Sequence, residues 1–172
     1  MSSIEYKVAV ETLTDGRKRT FWRVNGKLHR EDGPAIIFSD RNKAWYRNGK
    51  LHREDGPADV YPDGREHWYI DGKLHREDGP AVIYPDGSEF WFKDGLPHRE
   101  DGPAFHYSKG NEPTCFRGGT RWAENKEWYL DGKKYTEADF NAEIARRRNP
   151  IQELTVAEIS KRLGYEIKIV KE

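Results

Sequence analysis

The sequence predicts a mainly β protein: an elongated antiparallel meander of 23-residue β-hairpin repeats, followed by a small α-helical C-terminal appendage. Three observations carry this reading. The string HREDGPA begins at His29, His52, His75 and His98, each 23 residues after the last. Trp22, Trp45, Trp68 and Trp91 keep that step, as do Gly26, Gly49, Gly72 and Gly95, and the aromatic series Phe38, Tyr61, Tyr84 and Tyr107. Hydrophobic residues are only 35% and mean hydropathy is −1.03, yet 13% of residues are aromatic. A polar chain rich in rings fits a thin architecture, with large side chains covering sheet faces in place of a thick core.

The elements follow in order. Tyr6 to Leu13 alternates loosely, and Asp15-Gly16 turns it into the strand that carries Trp22, a half-repeat acting as a cap. Each repeat then holds two short strands. The first is typified by Ala81–Tyr84 and ends at Pro85-Asp86-Gly87, where proline fixes φ and glycine accepts a positive φ. The second is aromatic, as in Glu89–Phe92, and closes at Asn-Gly or Asp-Gly, a strong two-residue hairpin signal. Lys-Leu-His-Arg-Glu-Asp-Gly-Pro-Ala connects to the next repeat, with proline at the start of a strand, where it is tolerated. The sum is roughly ten strands. After Gly95 the equivalent glycine is Gly132, so an insertion lies within Ser108–Lys126. The repeat array is placed at residues 1–135 and a helix–helix–strand appendage at 136–172. Thr136 to Asp139 reads as a helix start and Asn149-Pro150 as its end; Thr155-Val156-Ala157-Glu158 is a capping box, Gly164 a helix stop, and Tyr165–Val170 alternates like a final strand.

Composition narrows the function classes. Lys and Arg total 30 against 30 Asp and Glu, so bulk attraction to nucleic acid or an acidic membrane is disfavoured. Cys115 is the only cysteine, which excludes an intrachain disulfide and fits a reducing cytoplasm. No apolar run long enough to span a membrane is present, and no membrane insertion is expected.

The 23-residue step, the two-strand repeat and the recurring glycine and aromatic positions resemble MORN repeats. The match is closer to the diverged MORN-like repeats with a WYxNGxxHRxDGPA pattern, found in bacteria and tailed phages. It covers roughly Phe21–Gly132. The chain departs from MORN units with a YxGxW core, so a lipid-binding role transfers poorly. The segment from Glu153 to Val170 is similar to a short module on small phage proteins. Together these resemblances imply a phage protein acting in host cytoplasm, with scaffolding and protein recognition as its function.

The HRED turns supply acid, base and metal-ligand types four times over. Histidines one repeat apart stand two strands, about 9.6 Å, from each other, too far to share a metal bound at about 2.0–2.1 Å per ligand. A structural role is expected instead, with Arg and Asp satisfying turn backbone and pairing with the neighbouring repeat. No catalytic, cofactor or metal residue is assigned. The Trp series is read as core. Tyr46, Tyr69 and Phe92 are read as the opposite face. They join Cys115, Phe116, Arg117, Arg121 and Trp122 of the insertion, and the basic run Arg146, Arg147 and Arg148, as candidate partner-binding residues. Asp59, His67 and Leu96-Pro97 also break the repeat. The expected function is a non-catalytic protein-interaction module with a protein partner, host or viral; self-association is left open. The alternative is a small-ligand or nucleotide binder, and the third reading is an enzyme using the HRED turns.

Overall fold

The computed structural model describes residues 5–108, 126–148, 161 and 164. It divides into two compact units, Met1–Phe140 and Asn141–Glu172, with the division falling inside a helix. The first unit is an antiparallel meander. The N-terminal cap is β1 (Lys7–Thr12) paired with β2 (Lys18–Val24), and β3 (Lys27–Leu28) pairs with the end of β2. The first repeat gives β4 (Ile36–Phe38), β5 (Lys43–Ala44), β6 (Tyr46–Arg47) and β7 (Lys50–Leu51). The second gives β8 (Asp59–Val60), β9 (Glu66–His67), β10 (Tyr69–Ile70) and β11 (Lys73–Leu74). The third gives β12 (Val82–Ile83), β13 (Glu89–Phe90), β14 (Phe92–Lys93) and β15 (Leu96–Pro97). The fourth contributes β16 (Phe105–His106), β17 (Lys126–Leu130) and β18 (Lys133–Tyr135), before helix α1 (Glu137–Arg148).

The main sheet runs β1-β2-β4-β5-β8-β9-β12-β13-β16-β17-β18, while β6-β7, β10-β11 and β14-β15 are separate two-stranded ribbons. This corrects one expectation. The aromatic run is two strands rather than one in three places, broken at Trp45, Trp68 and Trp91, whereas β2 and β17 run unbroken through Trp22 and Trp128. The backbone shows why: Trp68 donates its N–H to Ala81 of the next repeat at 2.7 Å, while its carbonyl accepts His75 N–H of its own ribbon at 3.1 Å. Residues before Trp68 stay in the main sheet, and residues after it fold into the ribbon. Ala35, Ala58, Ala81 and Ala104, which receive those tryptophan bonds, are wholly buried. Successive ribbons also bond to each other, Gly72 N–H to Leu51 carbonyl and Gly95 N–H to Leu74 carbonyl, both at 2.8 Å.

Both turn types follow their sequence chemistry. In the ribbon turns Asn48-Gly49, Asp71-Gly72 and Asp94-Gly95 each residue has positive φ, the type I′ signature. In the other hairpin, Gly64 N–H reaches Tyr61 carbonyl and Tyr61 N–H reaches Arg65 carbonyl, a three-residue loop with Gly64 left-handed at φ 91°. Arg41 holds that position in the first repeat, at φ 76°. Thr136 caps α1 by accepting Asp139 N–H at 3.1 Å, and Phe140 and Ile144 are buried. The helix expected from Thr155 and the strand expected from Tyr165 lie outside the described residues, as do Cys115, Phe116, Arg117, Arg121 and Trp122.

Candidate functional site

The HRED turns come first, since they carry the reactive side-chain types. Arg53 folds back so that its Cζ lies 4.2 Å from the centre of the Trp45 ring. It binds Asp55 at 2.9 Å through Nε and the Pro57 carbonyl at 3.3 Å. Arg30, Arg76 and Arg99 repeat this on Trp22, Trp68 and Trp91. The guanidinium holds three of the acidic partners well below the usual carboxylate range: the pKa values of Asp32, Asp55 and Asp78 are lowered, chiefly by this hydrogen bond. The clamp also explains the glycine of the motif. A Cβ on Gly56 would meet Arg53 Cζ at 2.7 Å, and one on Gly79 would meet Arg76 Cζ at 2.9 Å.

The histidine, not the Arg–Asp pair, makes the side-chain link to the neighbouring repeat. His52 Nδ1 accepts the Asp71 backbone N–H at 3.1 Å, and His75 Nδ1 accepts that of Asp94 at 3.2 Å. His98 Nδ1 accepts Asp131 N–H at 3.1 Å, across the insertion. His, Arg and Asp of the motif are therefore engaged in turn or inter-repeat contacts, while Glu31, Glu77 and Glu100 are exposed and lie 3.7–3.8 Å from the histidine of their own turn. Among the described residues no three His, Cys, Asp or Glu side chains converge as a metal site requires. The tryptophans expected as core are half-buried under their arginines, except Trp128, which is buried.

The other candidate is a row across the main sheet. Directly paired residues share a face, and the register runs Asp59↔His67, His67↔Val82, Val82↔Phe90, Phe90↔Phe105 and Phe105↔Glu127. Flanking positions two residues along each strand point the same way. They add Tyr61, Tyr84 and Tyr107 on one side; on the other, beyond the break at tryptophan, Tyr69 lies against His67 at 6.4 Å and Phe92 against Phe105 at 5.6 Å between ring centres. The rings interlock: Tyr84–Phe90 centroids lie 5.6 Å apart, Phe90–Phe105 5.1 Å, Phe90–Tyr107 5.2 Å, Phe92–Phe105 5.6 Å and Phe105–Tyr129 5.0 Å. Edge-on and tilted geometries of this kind are favoured between aromatic quadrupoles. Between Tyr69 and Tyr107 these side chains enclose an open apolar groove of about 240 Å³.

Polar groups punctuate the row. His67 stands where the next repeat has Phe90. Burial pushes its pKa down, and Nε2 has no hydrogen-bond partner among the described residues. Burial first, then the Asp59 carboxylate, push the Tyr61 pKa up to about 12. At the far end Tyr129 donates to Glu127 at 2.8 Å, and Lys134 lies 3.1 Å from the same carboxylate. Burial and Glu127 raise Tyr107 to about 12. The zero net charge also hides an asymmetry. Residues 1–51 hold 11 Lys and Arg against 6 Asp and Glu, whereas residues 52–108 hold 6 against 13.

Of the residues singled out in the sequence, Tyr69 and Phe92 lie in this groove, and Tyr46 is half-buried. Arg146 and Arg147 both pair with Glu143 within α1, and Arg148 is exposed in its last turn. Val82, Phe90 and Phe105 were missed as members of the face. Period-two alternation back from Tyr69 and Phe92 leads to His67 and Phe90. Phe105 needs the inter-repeat register. Comparison of the chain with protein-family models, characterised proteins and solved structures finds no match. Among the described residues no helix is long and apolar enough to cross a membrane.

Proposed function

We propose that this chain is a non-catalytic protein-recognition module whose docking surface is the aromatic face Tyr69–Tyr84–Phe90–Phe92–Phe105–Tyr107. The observation that supports it is the open groove lined by interlocked rings on one side of a sheet whose other polar motifs are already engaged. Half-exposed aromatic clusters of this kind supply the anchoring contacts of protein interfaces. The resemblance to phage repeats adds a setting, host cytoplasm, and a partner class, a host or viral protein. The reading disfavours an enzyme because the His, Arg and Asp side chains of the HRED turns serve a turn or a neighbouring repeat. It disfavours a small ligand in this groove, because the groove is open and smaller than the roughly 300–1,000 Å³ of ordinary ligand sites.

Affinity capture with the wild-type chain and with a Phe90→Ser/Phe105→Ser variant, each verified as folded by circular dichroism, tests the proposal. A stoichiometric protein held by the wild type and lost by the variant is expected. Equal retention by both moves the interface elsewhere. A small molecule in native mass spectra, with no protein partner, would favour the ligand reading.

A further inference from the structure

The aromatic face is not bare along its whole length, and what covers it is informative. Over the N-terminal cap, Arg23 Cζ lies 4.5 Å from the Phe21 ring centre and Arg19 Cζ lies 5.8 Å from it. Arg17 lies over Phe38 at 5.9 Å. In the second repeat Arg65 lies over Tyr61 at 4.3 Å. At the C-terminal end Lys134 lies 5.8 Å from Tyr129. The third repeat breaks this series. Ser88 stands 23 residues after Arg65, is buried, and accepts Ser108 N–H at 3.0 Å. Among the described residues no Arg or Lys covers Tyr84, Phe90, Phe92, Phe105 or Tyr107.

The uncovered rings have carboxylates at both ends. Asp59 and Glu127 belong to the same cross-strand row, five strands apart, which is about 24 Å at about 4.8 Å per strand. An extended segment of about seven residues spans that distance at about 3.4 Å per residue. The bare stretch also lies in the acidic part of the chain, residues 52–108. Negative ring faces bracketed by carboxylates attract cations.

Building on the protein-recognition reading, we infer that the bare rings take an extended segment of a partner protein carrying arginines. The partner's guanidinium groups would lie on Tyr84, Phe90 and Phe105, as the chain's own arginines lie on Phe21, Phe38 and Tyr61. Terminal arginines of the segment would meet Asp59 and Glu127. Lys134 would exchange its contact with Glu127 for the incoming cation.

Fluorescence anisotropy with the full chain tests this. The probe is a labelled heptapeptide with arginine at alternate positions, including both ends, and threonine between, compared with the same peptide carrying glutamate at every arginine position. The arginine peptide is expected to bind at least tenfold more tightly. Phe90→Leu, which keeps an apolar side chain and removes the ring face, is expected to weaken it about two- to fivefold and leave the glutamate peptide unchanged. Asp59→Asn, which leaves the aromatic row intact, is expected to shrink the preference. Equal binding of the two peptides, binding of neither, or an arginine preference untouched by both variants would overturn the inference. If the peptides show no preference while Phe90→Ser/Phe105→Ser still releases a captured partner, the protein-recognition reading stands and only the arginine chemistry falls. Self-association abolished by Phe90→Glu, with no arginine preference, would assign the face to a second copy and likewise overturn it.

Discussion

Replacing Gly56 by alanine isolates the clamp that each HREDGPA motif builds. Gly56 is buried, and its φ lies outside the left-handed region, so the backbone accepts alanine. The obstacle is Arg53, because the new Cβ would lie 2.7 Å from its Cζ and 3.0 Å from Nε and Nη1. The guanidinium must leave, and with it go the 2.9 Å bond to Asp55, the 3.3 Å bond to the Pro57 carbonyl and the stack on Trp45. Overpacking of this kind costs about 1–3 kcal/mol, of which the lost cation–π contact accounts for about 0.5–1 kcal/mol. In an Arg53→Ala background the clash is gone. There Gly56→Ala is expected to be neutral or to stabilise by up to about 1 kcal/mol, by restricting the unfolded chain. Urea unfolding of the wild type, both single variants and the double variant, followed by far-ultraviolet circular dichroism, completes the cycle. A coupling of about 1–4 kcal/mol is expected. If Gly56→Ala costs the same in both backgrounds, Arg53 is not the reason for the glycine.

Three further outcomes follow from the same structure. Arg41→Gly relieves a left-handed φ of 76° at the place where later repeats carry Gly64 and Gly87, and urea unfolding should show a gain of about 1 kcal/mol. Burial lowers the His67 pKa below 6.5, so the unfolded chain takes up that proton first, and stability falls as pH drops below about 6.5. In His67→Phe that component of the pH dependence should vanish; an unchanged profile between pH 7 and 5 would contradict it. Arg146 and Arg147 hold the Glu143 pKa down to about 2, so its contribution to α1 is present above 4.5 and lost as pH falls towards 2. Glu143→Gln should flatten that acid loss of helical signal.

Much of this was legible in the residues. The 23-residue step gave the meander, Asn-Gly and Asp-Gly gave the hairpin turns, and Thr136 with Asp139 gave the helix start, but Lys50-Leu51 and Lys73-Leu74, which complete the ribbons, read in the sequence as part of a connection. The break at Trp45, Trp68 and Trp91 was not legible, because a run such as Glu89–Phe92 has uniformly strand-like propensity. The break comes from bonds to an alanine of the next repeat and a histidine of the same ribbon. The clamp was equally hidden, since Arg53 and Trp45 meet only once the ribbon folds back. Asp59 and His67 were visible as departures from the repeat, but their meaning depended on cross-strand register. That register sets them in line with Phe90, Phe105 and Glu127.

The central claim is that the aromatic face receives a protein partner. Its most direct test replaces Phe92 by a photoreactive benzoylphenylalanine in the full chain and, in a separate protein, places the same group at Glu77 in an exposed HRED turn. On illumination in cells that express the chain, a discrete covalent protein adduct is expected from position 92 and none from position 77. An adduct from position 77 alone, or the same adduct from both, would contradict it.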